Sequence, residues 1–207
     1  MKRLALPLLT LFCFTLLSAC TTHTGYQIEP VRTETEAFDL EDAYAMIEPL
    51  ERPMAEISLR ESISRAEYDT YVKSTREVYS GSGFNESPPY EVFFDGADID
   101  DPSVDPLYLV PDQFYPTVFH EGIELTDAQL EHVYYPEEHA DLNDTILRIT
   151  LGYQGEDERL EGWSRSWVFR QVKSGAWLVW SCEGTMNFLG DGYSPTMLPM
   201  KDNWQDA

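Results

Sequence analysis

Apolar and polar residues alternate with a period of two in the last third of the chain. Within 144–153, every second residue from Leu147 to Tyr153 is large and apolar, which is the pattern of a strand with one buried face. A second such run covers 163–172 and a third covers 176–182. The short link at Ser174-Gly175 is typical of a tight turn. We therefore predict three adjacent strands that form an antiparallel meander.

Upstream of this meander, the clearest helical pattern covers 65–79, where apolar residues recur at intervals of three and four. Ser64 and Glu67 have the spacing of a capping box, which satisfies free amides at the start of a helix. Gly81 follows, and glycine commonly ends helices. We therefore predict a helix over 65–79 whose aromatic face packs on the core.

Weaker patterns predict four further elements. A short helix is expected within 36–50, ended by Pro49 and Pro53, because proline lacks the amide hydrogen and clashes with the preceding turn. Another short helix is expected at 126–133, with Thr126 as its cap. Two short strands are predicted at 90–94 and 107–110.

Helices first and a meander last predict an α+β fold, in which N-terminal helices pack on one face of a curved antiparallel sheet. This order, with the local runs 167–169 and 175–177, resembles the nuclear-transport-factor-like or cystatin-like α+β fold. The long acidic insertion at 95–106 departs from that resemblance. Folds of this kind carry enzymes, binding proteins and assembly modules alike, so the resemblance does not select a function.

Two registers are open for the final hairpin. A two-residue turn collects the largest apolar side chains on one face, and we favour it for that reason. It pairs Phe169 with Trp180, and Trp167 with Cys182. A three-residue turn with a bulge instead places Trp177 opposite Gln171. The favoured register predicts that Trp180 is a core residue.

The N-terminus has the pattern of an export signal. Lys2 and Arg3 give a positive start, and an apolar stretch covers 4–17. This stretch spans roughly 21 Å as a helix, which is short of the roughly 30 Å hydrocarbon core of a bilayer. We therefore predict a cleaved signal peptide and not a membrane-spanning helix.

Residues 17–20 read Leu-Ser-Ala-Cys and resemble the lipobox of bacterial lipoproteins. The resemblance implies that the sulfur of Cys20 receives a diacylglycerol, that the chain is cut just before Cys20, and that the new amine is open to acylation by a fatty acid such as palmitate. Two or three acyl chains anchor a protein stably. Thr21 stands where aspartate favours retention in the inner membrane, so the resemblance favours the outer membrane.

These patterns divide the chain into four segments. They are a signal peptide at 1–19, a lipidated flexible tether at 20–35, a single α+β domain at 36–190 and a C-terminal tail at 191–207.

Composition and charge restrict the partners of that domain. Apolar residues make up 43% of the chain, which is enough to form a core. Removal of the signal peptide takes two of the 14 basic residues and none of the 37 acidic ones, so the formal charge of the mature chain is -25. Such a surface repels phosphate backbones, and we expect no nucleic-acid partner.

Three cysteines and four histidines are present. After cleavage and lipidation, Cys182 has no cysteine to pair with inside the chain, and we interpret it as a small buried residue. No zinc-binding spacing joins the histidines, so we expect them at the surface and predict no metal. They are His23, His120, His132 and His139.

Aspartates crowd the segment 95–105, and oxygen-rich loops suit Ca²⁺. An EF-hand requires Asp-x-Asp-x-Asp-Gly, but Pro102 and Ser103 stand where the third ligand and the glycine should be. We therefore expect a solvated acidic loop and no cofactor, with an irregular calcium site as the alternative.

Arg165 lies between Trp163 and Trp167 on one face of a predicted strand. A guanidinium on an aromatic face can stack on the rings or bind a carboxylate ligand, which makes these three residues the candidate ligand-binding site. The competing interpretation is that Arg165 pairs with one of the many acids of the chain or lies in water at the strand end.

Two functional hypotheses follow. The first is a non-enzymatic module, tethered to the membrane through Cys20, that binds an envelope protein or a small ligand. It rests on the anchor and on the lack of a catalytic motif, such as a Gly-x-Ser-x-Gly elbow or a phosphate-binding glycine loop, in the sequence. The second is an extracytoplasmic hydrolase that uses carboxylates in a pocket between sheet and helix.

Overall fold

The structure, a computed structural model, describes residues 28–78, 89–202 and 204–205. It confirms the α+β fold, with helices packed on one face of a five-stranded antiparallel sheet in the order β1-β5-β6-β7-β8. The helices are α1 (Leu40–Ser58), α2 (Arg65–Val78) and α3 (Gly96–Asp100), with 3₁₀ turns at Pro89–Phe93, Glu137–Leu142 and Glu158–Leu160. The strands are β1 (Arg32–Ala37), β2 (Ser62–Ile63), β3 (Leu107–Tyr108), β4 (Gln113–Phe114), β5 (Ile123–Tyr134), β6 (Asp144–Tyr153), β7 (Ser164–Gln171), β8 (Trp177–Gly184) and β9 (Phe188–Leu189).

The predicted meander is confirmed as β6, β7 and β8. The predicted helix at 126–133 is wrong, because this segment is the middle of β5. The prediction relied on Thr126 and Gln129 as a capping box, and a bulge between Leu125 and Asp127 interrupts the alternation that would have indicated a strand. The Thr126 hydroxyl, which we expected to cap a helix, donates to the carbonyl oxygen of Thr150 across the ladder.

The first strand lies in the segment predicted to be a tether. β1 pairs with β5, with Arg32 opposite Tyr134 and Ala37 opposite Gln129. Every side chain of β1 is exposed, so backbone pairing and not apolar burial holds it in the sheet. The predicted boundary at 35 is therefore wrong, since residues 32–35 already belong to the sheet.

Helix α1 continues through the prolines that we expected to end it. Pro49 and Pro53 both lie inside α1, which starts at the N-cap Asp39. Each proline removes one hydrogen bond from the helix, at a cost of roughly 3 kcal/mol or more. The helix nevertheless continues because its inner face, which repeats every three or four residues, is buried against the sheet.

Helix α2 confirms the prediction at 65–79 to within one residue. The capping box is present, since Glu67 accepts from the backbone and hydroxyl of Ser64 and its own amide donates back to that hydroxyl. The predicted glycine stop at Gly81 lies outside the described residues. The predicted strand at 90–94 is wrong: consecutive Phe93 and Phe94 are both buried, which a strand with one inner face does not allow.

Near its turn, the final hairpin has the register that we did not favour. Gly175 has a φ of 85°, and Val172 bonds to Ala176 around a three-residue loop, so Gln171 faces Trp177. A bulge at Trp180 then restores the pairing of Trp167 with Cys182. The prediction that Trp180 is a core residue is wrong, because it is 39% exposed.

The C-terminal segment belongs to the domain, contrary to the predicted boundary at 190. Glu121 donates its amide to the carbonyl of Pro199, and Lys201 donates its amide to the carbonyl of Phe119. The Trp204 ring lies 5.8 Å from that of Phe119. The segment 191–205 therefore packs against the core in the described part of the chain.

Candidate functional site

The structure brings the three predicted ligand-binding residues together and buries them. Arg165 lies on β7 with 1% of its surface exposed, Trp167 follows two residues later with none exposed, and Trp163 directly precedes the strand with 5% exposed. Arg165 and Trp167 face α1 and the segment 115–120, while the Trp163 ring lies against the Arg165 guanidinium. A guanidinium is thus held inside the core.

A carboxylate from α1 meets this guanidinium. Nη2 of Arg165 donates to both carboxylate oxygens of Glu51, at 2.7 and 2.6 Å, and both side chains are 0% exposed. The indole nitrogen of Trp167 donates to Oε1 of Glu51 at 2.6 Å, and the amide of Val118 donates to Oε2 at 3.3 Å. This pair agrees with the competing interpretation given above, in which Arg165 pairs with an acid of the chain.

The remaining contacts of Arg165 connect it to the segments on either side. Nη2 also donates to the carbonyl of Pro116 at 2.7 Å, and Nη1 donates to the carbonyl of Met186 at 3.3 Å. The guanidinium lies over the Tyr115 ring at 4.6 Å and the Trp163 ring at 5.3 Å, which are cation–π distances. Burial is the largest single effect and disfavours the charge of Arg165, but the Glu51 carboxylate, with smaller contributions from Tyr115 and Cys182, together outweighs it, so the pKa of Arg165 is raised.

This buried Glu51–Arg165 pair connects four parts of the fold. It joins α1, the 115–120 segment, β7 and the chain that follows β8. A role of these residues in binding an external ligand stays a prediction. The described hydrogen bonds show a polar connection inside the core.

Glu51 could not be predicted as a site residue because the predicted first helix stops at residue 50, next to the prolines. With α1 extended, the buried positions Ala43, Ile47 and Met54 place Glu51 in the middle of the apolar face. A charged residue at a core-facing position needs a buried partner. Helical spacing across the prolines was therefore the signal that could have found it.

His120 corrects the expectation of surface histidines, because it is fully buried. Its Nδ1 accepts from the amide of Thr117 at 3.0 Å and lies 2.9 Å from the Thr117 hydroxyl, while the ring meets Phe114 edge-on. An Nδ1 that accepts leaves the proton of the neutral ring on Nε2. Burial lowers the pKa of His120 to about 4, so the ring is neutral at pH 7.

Cys182 agrees with its interpretation as a packing residue. The thiol is half-buried, and its sulfur lies 3.6 Å from that of Met186. Burial raises its pKa to about 12. The protonated thiol is a poor nucleophile, since the thiolate is the reactive form.

The acidic segment 95–105 is arranged around a cation of the chain itself. The Arg65 guanidinium donates to four of its carbonyl oxygens, at 2.6 to 3.3 Å. They belong to Asp98, Ile99, Asp101 and Val104. Among the described residues, no group of three or more histidine, cysteine or acidic side chains is placed to hold a metal ion.

Two open depressions lie on the described surface, and neither is lined by the buried pair. One, of about 320 Å³, is lined by acidic residues of the loop after β6 and by Tyr153. Its acidic residues are Glu156, Asp157, Glu158 and Glu161. Another, of about 350 Å³, lies on α2 around Tyr71.

Within the described residues, no helix has the length and apolar character needed to span a bilayer. No family model, curated protein or solved structure matches this chain. The resemblances stated above therefore stay predictions, and the function must be argued from the molecule itself.

Proposed function

We propose that this chain is a lipid-anchored protein of the bacterial outer membrane, and that its folded domain is a non-enzymatic module that binds a protein or a small ligand in the envelope. The observation that carries the anchor is the run Leu-Ser-Ala-Cys at 17–20, placed directly after an apolar export segment. The first described strand begins at Arg32, so eleven residues lie between it and Cys20.

The contacts of the potentially reactive side chains support the proposal that the domain is a non-enzymatic binding module. Glu51 and Arg165 are the groups best suited to chemistry in a dry site, but they bond to each other and to neighbouring donors and acceptors in the core. His120 is buried and bonded to Thr117. A reactant would have to displace these partners, at the cost of leaving a buried charge unpaired. Recognition through the surface requires no such step.

The anchor is tested by metabolic labelling with a radioactive or clickable fatty acid. Cys20→Ala should abolish incorporation, because it removes the sulfur that the diacylglycerol would occupy. Cys13→Ala is the matched control, since it removes a cysteine of the export segment and should leave labelling unchanged. Normal labelling of Cys20→Ala would overturn the anchor. Density-gradient separation of the two membranes tests the outer-membrane assignment.

The binding role is tested with the lipidated chain and a detergent-solubilised envelope. We expect a saturable partner or ligand that is recovered chemically unchanged. Cleavage of an envelope component would overturn the non-enzymatic proposal. If that cleavage were lost in Glu156→Gln or Glu158→Gln, it would be assigned to the acidic depression.

A further inference from the structure

The five-stranded sheet has two edge strands, and β1 is the regular one. β1 keeps a single register with β5 over all six of its residue pairs. β8, at the other edge, is interrupted by the bulge at Trp180, and bulges twist an edge strand away from a straight partner. An added strand can therefore pair continuously with β1 but not with β8.

The hydrogen-bond pattern shows which backbone groups of β1 point away from the sheet. The amide of Phe38 donates to the carbonyl of Ala128, and hydrogen-bonded pairs alternate with non-hydrogen-bonded pairs along an antiparallel ladder. Thr33, Thr35 and Ala37 therefore direct their amides and carbonyls away from β5. In the described part of the chain, no backbone hydrogen bond outside the ladders involves these three residues. We call their outward backbone groups the β1 edge.

The side chains of β1 set the charge along this edge. Glu36 stands opposite Leu130, which packs on the core, so Glu34 and Glu36 lie on the helix-bearing face of the sheet. Their side chains are 53% and 66% exposed. Thr33 and Thr35 lie on the other face. The edge thus presents two exposed carboxylates, two residues apart, on one face.

The present contacts of these carboxylates are those of exposed side chains. Glu34 lies 3.3 Å from Nη1 of Arg32 and accepts from the Tyr134 hydroxyl at 3.4 Å. Glu36 lies 3.6 Å from Nε2 of His132. Exposed pairs of this kind contribute little to stability, so both carboxylates are able to accept a further cation.

The same charges disfavour a second copy of this chain at the edge. Antiparallel pairing of two β1 strands about Thr35 would place Glu34 of each copy opposite Glu36 of the other. Like charges directly opposite each other destabilise a ladder, whereas opposite charges stabilise it. The edge therefore selects a strand that carries cations at alternate positions.

We propose that the β1 edge binds an extended basic segment of an envelope protein, which adds a sixth strand antiparallel to β1 with lysine or arginine opposite Glu34 and Glu36. In this mode of recognition, backbone hydrogen bonds supply affinity and alternate side chains supply specificity. The formal charge of the chain, -23, also attracts a basic segment. The inference rests on the proposed binding role and deepens it by naming the site and the chemistry of the partner.

Antiparallel geometry determines which amides of the partner are used. Partner residues opposite Thr33, Thr35 and Ala37 form hydrogen-bonded pairs, so their amides point at β1. Partner residues opposite Glu34 and Glu36 point their amides away, and their side chains lie on the same face as the carboxylates. N-methylation of the first set should therefore abolish binding, and N-methylation of the second set should not.

The probe is the capped synthetic peptide Val-Lys-Val-Lys-Val, titrated into the purified, isotope-labelled full chain in detergent. It is compared with one version N-methylated at the valines and another N-methylated at the lysines. NMR follows the amide shifts and the amide hydrogen exchange of Thr33, Thr35 and Ala37, which added backbone pairing would slow and a purely electrostatic attraction would not.

Two double variants test the role of charge. Glu34→Gln/Glu36→Gln removes the carboxylates of the edge. Glu156→Gln/Glu158→Gln is the matched control, because it removes the same charge from exposed positions in the loop after β6.

We expect saturable binding of the unmodified and lysine-methylated peptides, slowed exchange at the β1 edge, and no binding of the valine-methylated peptide. Glu34→Gln/Glu36→Gln should weaken binding about tenfold, because two cross-strand pairs of opposite charge are lost. Glu156→Gln/Glu158→Gln should weaken it by about twofold at most.

Equal binding of the two methylated peptides, equal binding by the two double variants, or no binding of the unmodified peptide would each overturn the edge as a binding site. If the Glu34→Gln/Glu36→Gln chain recovers an envelope partner as well as the wild-type chain does, the edge is overturned while the proposed binding role stands. A wild-type chain that binds the peptide as expected but recovers no envelope partner would overturn the proposed role and not the edge.

Discussion

Removing either partner of the buried Glu51–Arg165 pair should destabilise the domain strongly. Glu51→Gln leaves the Arg165 guanidinium inside the core without a counter-charge, and Arg165→Met leaves the Glu51 carboxylate in the same position. Removing one partner of a buried ion pair typically costs about 3–5 kcal/mol. Total stabilities of domains are about 5–15 kcal/mol, so each variant should lose a large share of its stability.

The double variant Glu51→Gln/Arg165→Met separates the pair from its surroundings. It leaves no buried charge, but the carbonyls of Pro116 and Met186 lose their donor. An unsatisfied buried group costs about 1–3 kcal/mol. We therefore expect a loss in the double variant that is close to the loss in one single variant and well below the sum of both.

Urea unfolding followed by tryptophan fluorescence measures all three losses. Arg148→Met is a matched control, because Arg148 pairs with Glu183 on the exposed face of the sheet, where such a pair contributes about 1 kcal/mol or less. Single-variant losses below about 1 kcal/mol, or losses that add in the double variant, would refute the assignment of a tightly coupled buried pair.

Three further predictions concern His120, Arg65 and Trp180. Burial lowers the pKa of His120 to about 4 from 6.5, so the unfolded chain binds the proton first as pH falls. The contribution of His120 to stability should therefore drop by about 3 kcal/mol between pH 7 and pH 4, and in urea unfolding His120→Gln should weaken the pH dependence; an unchanged dependence would contradict the buried neutral ring. Arg65→Ala should destabilise the acidic segment, because its carbonyl oxygens lose their donor. In the wild-type chain, millimolar calcium should raise the melting temperature no more than magnesium does, and a calcium-specific rise would contradict the arrangement around Arg65. Trp180→Ala should cost below about 1 kcal/mol in the same unfolding assay, whereas Trp167→Ala should cost about 3–5 kcal/mol, and equal losses would contradict their different burial.

The elements predicted correctly are those whose stabilisation is local in sequence. β6 alternates without interruption, so its residues predict both its limits and its inner face. Helix α2 begins at a capping box whose members lie three residues apart. In both cases the deciding interactions are periodic or within a few residues, which makes them visible in the sequence.

The errors occur where distant contacts override a local preference. Pro49 and Pro53 disfavour a helix locally, but burial of the α1 face against the sheet outweighs them. β1 has a polar sequence without apolar alternation, and only its pairing with β5 makes it a strand. The bulge at Trp180 changes the register within one strand, so no single turn type could predict both halves of the hairpin.

Only half of the candidate site could be predicted from the sequence, for the same reason. Arg165 between two tryptophans was visible as an unusual group, but its partner lies 114 positions earlier, on a helix that the prolines concealed. A buried arginine in an acidic chain has many possible partners, and only the packing of α1 on β7 selects Glu51.

The pairing of Glu51 with Arg165 determines which charged side chains remain at the surface for partners. A strong internal pair stabilises the connection between α1 and the sheet, and it removes both groups from contact with solvent. Of the mature chain's few cationic side chains, Arg65 and Arg165 are both used to organise the fold. The surface left for partners is therefore more acidic than the composition alone implies, and an acidic surface attracts cationic groups.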